Sequence, residues 1–131
     1  MANKFPTELK YSKDHEWVRI ENNTATVGIT SHAQEALGEI VFVDLPKVGR
    51  ELKAGEVLGV VESIKAVSDV YCPVAGKVVE VHEALSQEPG LVNADSFGKG
   101  WLIKLDLNSE AASATSNLMD ASAYEKFVAT L

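Results

Sequence analysis

The chain has 131 residues, is 46% hydrophobic and carries a formal charge of −7, which suits one compact domain with a core of useful size. Its acidic balance, with no cluster of Lys and Arg, excludes the phosphate-binding surface that a nucleic-acid partner needs, and no apolar run approaches the ~20 residues of a membrane-spanning helix. A single cysteine, Cys72, can form neither an internal disulfide nor a structural zinc site, so packing must hold the fold.

Residues 1–13 mix acidic, basic and polar side chains and have neither the apolar stretch of a secretory signal nor the acid-poor look of a transit peptide, so a cytoplasmic location is expected. The ordered part is expected to open with a hairpin, residues 16–20 and 24–29, around the polar turn Glu21-Asn22-Asn23, where Asn tolerates positive φ. Thr30 or Ser31 can cap a short helix that runs to Leu37, with Gly38 just past its end. Two later stretches echo each other: Gly38-Glu39-Ile40-Val41-Phe42-Val43 and Gly76-Lys77-Val78-Val79-Glu80-Val81 are offset by 38 residues. Each is followed by a turn-rich stretch with Gly ahead of an apolar pair, Gly55-Glu56-Val57-Leu58 and Pro89-Gly90-Leu91-Val92. Closing strands are expected at 57–62 and 101–107, the second with Trp101, Ile103, Leu105 and Leu107 on one face. The pattern reads as a pseudo-twofold β domain. Residues 109–117, rich in Ala and Ser, read as a linker or frayed turn. Beyond them Asp120 can cap a helix, Ser122 and Glu125 have capping-box spacing, and Tyr124, Phe127, Val128 and Leu131 recur at helical intervals, predicting an amphipathic helix docked on the sheet. The whole chain is taken as a single domain, with a core of about 16–107 and a C-terminal helix of about 118–131.

The stretch Val60-Val61-Glu62-Ser63-Ile64-Lys65-Ala66-Val67-Ser68-Asp69-Val70 reads as two strands meeting at a short turn, with Lys65 projecting from it. A lysine in a surface turn is ordinarily solvated charge. Stiff strands on both sides nevertheless fix where its amine sits, which suits the attachment of a tethered cofactor. His15, His32 and His82 lack the spacing of metal ligands, and no metal is assigned. Cys72, followed by Pro73, has no sequence mark of an activated nucleophile and reads as a small buried apolar group. Trp17 and Trp101 are expected to fill the core or cover its edge.

Glu62-Ser63-Ile64-Lys65-Ala66, with Ser68-Asp69 after it, resembles the lipoylation site of the glycine cleavage H protein family. Similar blocks run in order along nearly the whole chain: His15-Glu16-Trp17-Val18, Gly28-Ile29-Thr30 with His32-Ala33-Gln34, Gly38 to Pro46, Pro89-Gly90-Leu91-Val92-Asn93, Gly100-Trp101-Leu102-Ile103-Lys104, and the tail from Tyr124 to Phe127.

The resemblance implies a mainly β fold, a flattened β-barrel or sandwich of two sheets of the lipoyl-domain type, with an N-terminal hairpin, a short helix and a C-terminal helix added. It further implies lipoic acid joined to Lys65 as an amide, which would take the formal charge from −7 to −8 and place a dithiolane about 12–14 Å from the backbone. A non-catalytic carrier of this kind takes an aminomethyl group and reducing equivalents from glycine decarboxylase, the P protein. It delivers them to the aminomethyltransferase, or T protein, and to dihydrolipoyl dehydrogenase, the L protein, after a lipoate ligase or lipoyltransferase has loaded it. A cleft would protect such cargo from water, and by resemblance Glu16 and Asp69 are the acids placed beside its cationic amine. The free protein is expected to be monomeric. Remaining alternatives are a lipoyl relay that donates lipoate to other apo-proteins, a lipoyl domain of a 2-oxoacid dehydrogenase, and an independent enzyme using His15, Glu16 or Cys72. A biotin carrier would flank its lysine with Met, whereas Ile64 and Ala66 stand here.

Overall fold

Alternating apolar residues build two antiparallel sheets that close over one core in the computed structural model, which describes residues 5–107 and 116–131. Strands β1 (Lys10–Tyr11), β2 (Glu16–Glu21), β3 (Thr24–Ile29), β4 (Ile40–Asp44), β5 (Glu51–Leu52), β6 (Val57–Ser63), β7 (Val67–Tyr71), β8 (Gly76–Val81) and β9 (Ile103–Asp106) are joined by short helical pieces. These are α1 (Ser31–Leu37), a 3-10 turn at Glu83–Ser86, α2 (Leu91–Ala94) and the C-terminal α3 (Ala121–Ala129). One sheet has six strands in the order β1-β2-β3-β9-β8-β5, the other has three in the order β4-β6-β7. The protein is thus mainly β, an open two-sheet sandwich with few helices.

Val18, Val27, Ile29, Val61, Val70, Val78, Ile103 and Leu105 fill the space between the sheets, where burial of each aliphatic side chain contributes about 1.5–3 kcal/mol. The expected internal echo has a structural counterpart. β4 pairs with β6 and β8 with β9, and each pairing carries a bulge, between Ile40 and Phe42 in one case and between Val78 and Glu80 in the other. The extra residues, Val41 and Val79, are therefore separated by the same offset as the sequence repeat, and both face solvent. A bulge sharpens strand twist, and a matched pair bends both halves alike.

Gly59 in β6 marks a close approach of backbones: a Cβ built there would stand 2.2 Å from the Asp44 carbonyl oxygen. Gly59→Val should therefore destabilise the protein by about 2–3 kcal/mol through forced separation of β4 from β6, read as a fall of roughly 10 °C in Tm by calorimetry.

Several expectations need correction. The ordered part does not begin at the β2–β3 hairpin, because Phe5, Leu9 and Tyr11 are fully buried and β1 pairs with β2. These residues form a second cluster with Trp17, Ala121 and Tyr124, and Tyr11 stacks on Tyr124 at 4.7 Å. The binary pattern of residues 5–11 is too short to show a period; distant partners, Phe97 and the C-terminal helix, give those rings something to cover. The last strand starts at Ile103 rather than Trp101, because Trp101 leaves the ladder to stack face to face on His82 at 4.4 Å. The expected turn-rich stretch Pro89 to Val92 already contains the first residues of α2, Leu91 and Val92. Asp120 caps α3 by accepting from the Ala123 N–H, which leaves Ser122 inside the helix, and Leu131 lies exposed beyond its end. Most of the expected linker, residues 108–115 of it and its flank, lies outside the described residues. Among the described residues no helix is long and apolar enough to cross a membrane.

Candidate functional site

Lys65 sits at the end of the β6–β7 hairpin, where Glu62 pairs with Val67 and the chain reverses through Ser63-Ile64-Lys65-Ala66. Ser63 organises this turn. Its backbone N–H donates to the Ala66 carbonyl at 2.8 Å, while its hydroxyl oxygen accepts from the N–H groups of Lys65 at 3.3 Å and Ala66 at 3.1 Å. A serine in the first position of a turn commonly bonds the backbone ahead of it in this way. The Ile64 N–H donates to the Glu39 carbonyl at 3.2 Å, so the hairpin tip is braced against the residue that precedes β4. Lys65 is exposed and forms no ion pair among the described residues. Its Cε lies beside Gly38, whose φ of +84° ends α1. Ser63→Ala should cost about 1–2 kcal/mol and speed amide hydrogen exchange at Lys65 and Ala66, leaving the sandwich strands protected.

A second connection holds the brace. The Asn93 side chain accepts from the Ile40 N–H at 2.8 Å and donates to the Gly38 carbonyl and to Gln34, each at 2.8 Å. One amide therefore ties α1, the start of β4 and α2 together beside the lysine hairpin. Sequence reading placed Asn93 in a family block without a role; an Asn four residues after a Pro-Gly turn is the only signal that could have suggested one.

Glu16 opens β2 and is only 2% exposed. It spans the two sheets: the Ser12 hydroxyl donates to one carboxyl oxygen at 2.5 Å, and the Tyr71 N–H at the end of β7 donates to the other at 3.2 Å. Burial, the largest influence, pushes its pKa up to about 7; the Ser12 and Tyr71 bonds oppose that rise, and the nearby charge of Asp14 adds to it. The carboxyl group faces a cavity of about 230 Å³ bordered by Ser12, Tyr71, Cys72, Pro73 and Met119. The loop that presents it is strained, with His15 at a φ of 67°. That conformation is held by the His15 ring bonded to the Tyr124 hydroxyl at 2.7 Å and by the Thr30 N–H on the His15 carbonyl.

Asp69 is exposed on β7, two residues before Tyr71 and opposite Val60 of β6. β7 thus runs from the Lys65 turn through Asp69 to Tyr71, whose N–H meets Glu16 of the larger sheet. Ser12 went unnoticed in the sequence, because a serine in a polar loop carries no pattern; its contact with Glu16 exists only after β1 and β2 pair. Cys72 is buried with its thiol donating to the Val74 carbonyl at 3.0 Å, and burial pushes its pKa up to about 11, so it is protonated and inert at neutral pH. His82 bonds the Trp101 carbonyl, and the His15 and His32 rings lie 4.7 Å apart, tilted by 46°.

The fold and site together define a class: a two-sheet β sandwich that presents an exposed lysine at the apex of a braced hairpin. Comparison with known proteins narrows the class. The family model described as Glycine cleavage H-protein matches residues 9–131. A glycine cleavage system H protein of Symbiobacterium thermophilum is 57% identical over 127 residues, covering 97% of both chains, and one of Thermotoga maritima is 55% identical over 92% of this chain and 95% of its own. The crystal structure of a glycine cleavage system H protein from Mycobacterium marinum superposes with a TM-score of 0.87 at 40% identity, over 95% of this chain and 99% of that one. The chain belongs to the glycine cleavage H-protein family, and membership implies a lipoate-carrying component of a multienzyme system.

Proposed function

We propose that this protein is the lipoyl carrier of a glycine cleavage system, loaded by amide formation at Lys65. An exposed amine without a competing carboxylate partner fits an amide linkage: acylation removes a charge that no described contact uses, and the Ser63 and Glu39 bonds hold the attachment point still. When bound, lipoate supplies a dithiolane that can accept a one-carbon amine and two electrons together. In this reading the protein visits a glycine decarboxylase, an aminomethyltransferase and a dihydrolipoyl dehydrogenase, having first met a lipoate ligase or lipoyltransferase.

The chain's own side chains position and protect. Asp69 stands four residues beyond Lys65, at most about 14 Å of extended chain, within the span of a lysine with an acyl extension, and Tyr71, which bonds Glu16, lies two residues further on. Glu16, with Asp69 on the way to it, offers carboxylate oxygens to a cationic amine. Ser12 aims one Glu16 oxygen and the Tyr71 N–H aims the other, so the acid needs no reorganisation to receive its ligand. The cavity beside Glu16 shelters a small group from water.

The observation that carries this reading is the coincidence of a lysine at a rigid apex, without an ion pair among the described residues, with a buried acid of the facing sheet bonded to the far end of the strand that follows it. Reconstitution tests it. The purified, lipoylated chain mixed with the three enzymes, glycine, tetrahydrofolate and NAD+ is expected to support NADH formation, and the unmodified chain is expected to support none. Equal rates with both forms would overturn the assignment.

A further inference from the structure

The three-stranded sheet ends at β4, and alongside that outer strand runs an open groove. Its larger part, about 990 Å³, begins at Glu39, Ile40 and Val41 and is walled by Glu88, Leu91 and Ala94. A second hollow of about 460 Å³ continues past Val43 and Leu45 toward Glu83, sharing Ser86 and Gln87 with the first. Three acids, Glu39, Glu83 and Glu88, border the two hollows, and no Lys or Arg lines either. One end of the groove is also the brace of the lysine hairpin, since Glu39 accepts the Ile64 N–H and Asn93 fixes Ile40 and Gly38. A body seated in the groove therefore has a fixed position relative to Lys65.

We propose that this groove docks an extended segment, apolar in the middle and basic at its ends, of the enzyme that attaches lipoate to Lys65. The inference rests on Lys65 being the acylated residue. Edge strands accept an additional strand, whose backbone supplies affinity and whose alternate side chains supply selectivity. An acidic rim selects a basic guest and raises the rate of encounter. The choice of the attaching enzyme follows from reach. Before loading, the reacting atom is the lysine nitrogen itself, only about 6 Å from its own backbone, so the enzyme must lie against the protein surface around the hairpin. Enzymes that work on the end of a loaded arm can stand about 12–14 Å away and need not touch this groove.

The test compares the apo chain with Glu83→Lys/Glu88→Lys and, separately, Ala94→Arg, using purified lipoate ligase, ATP and lipoate, with intact mass as the readout. All three substituted positions are exposed. Each variant is expected to lose about ten-fold or more in kcat/KM for lipoylation, chiefly through KM. The wild-type rate is expected to fall with added salt, and that dependence should flatten in the double variant. Glu21→Lys/Glu51→Lys, in exposed positions on the six-stranded sheet, should be loaded within about two-fold of the wild-type rate. Once driven to full loading, the groove variants should serve the decarboxylase at the wild-type rate. Unchanged loading kinetics of the groove variants would overturn the proposal, as would an equal loss in the control pair or an equal defect with the decarboxylase. Concentration-dependent dimerisation abolished by the same substitutions would also overturn it, by giving the groove to a second copy. Failure of the underlying assignment looks different: the wild-type chain itself would gain no mass on the peptide containing Lys65.

Discussion

A chain carrying Lys65→Arg, expressed with lipoate supplied, is expected to show no added lipoyl mass and to give no detectable glycine cleavage, while melting within about a degree of the wild type. Arg retains the positive charge and the long aliphatic stem but offers no amine that forms a stable amide. The side chain is exposed and unpaired among the described residues, and surface substitutions of this kind change stability by less than about 0.5 kcal/mol. The full loss of activity with an unchanged fold is what separates a carrier from an enzyme that uses His15, Glu16 or Cys72, since those groups remain intact in the variant. Peptide mass mapping and calorimetry on one preparation check both halves. Lipoyl mass found on another lysine would refute the assignment of Lys65.

The second large effect belongs to Glu16. Its pKa in the folded protein is raised to about 7 from an ordinary 4.5, mainly by burial. The protein therefore prefers the protonated acid, and this contribution to stability is complete below about pH 4.5 and lost as the pH rises through 7. Raising a pKa by one corresponds to about 1.4 kcal/mol, so the loss approaches about 3 kcal/mol on the alkaline side. Glu16→Gln keeps the shape and stays neutral, so its unfolding free energy in urea should vary much less between pH 5 and pH 8 than that of the wild type. Function should move the other way. Only the ionised acid binds a cationic amine, so above pH 7 Glu16→Gln, like Glu16→Ala, should leave lipoylation intact and release formaldehyde faster from the loaded protein, by about ten- to a hundred-fold if one charge-assisted bond of about 1.5–3 kcal/mol is lost. A release rate equal to that of the wild type would remove Glu16 from the protective role. The opposition is physically coherent: the protein gives up stability at neutral pH to keep a carboxylate where water is scarce.

The long-range order of the chain was legible because its signals are local or periodic. The apolar run at 57–62, the alternation expected over 101–107 and realised from Ile103, the Asn22 turn with its φ of 56°, the Thr30 and Asp120 caps and the repeat between β4 and β8 are properties of neighbouring residues, so one sequence suffices to find them. The lysine turn was legible for the same reason, since the residues that shape it are Ser63 to Ala66. Family membership was legible because many short blocks occur in the expected order, a pattern that chance composition does not produce.

What the sequence could not contain is contact between distant segments. Nothing local distinguishes Ser12 from any loop serine, Glu16 from any acid at a strand end, or Asn93 from a turn asparagine. Tertiary structure decided that Glu16 would reach across to Tyr71, 55 residues away, and that Asn93 would lock the lysine hairpin from 55 residues beyond Gly38. It also gave Phe5, Leu9 and Tyr11 their burial, by bringing in a helix from the other end of the chain. The physical reason is common to all three: burial and hydrogen-bond partners depend on which surfaces the closing sandwich presses together, whereas strands, turns and caps depend only on the residues that form them.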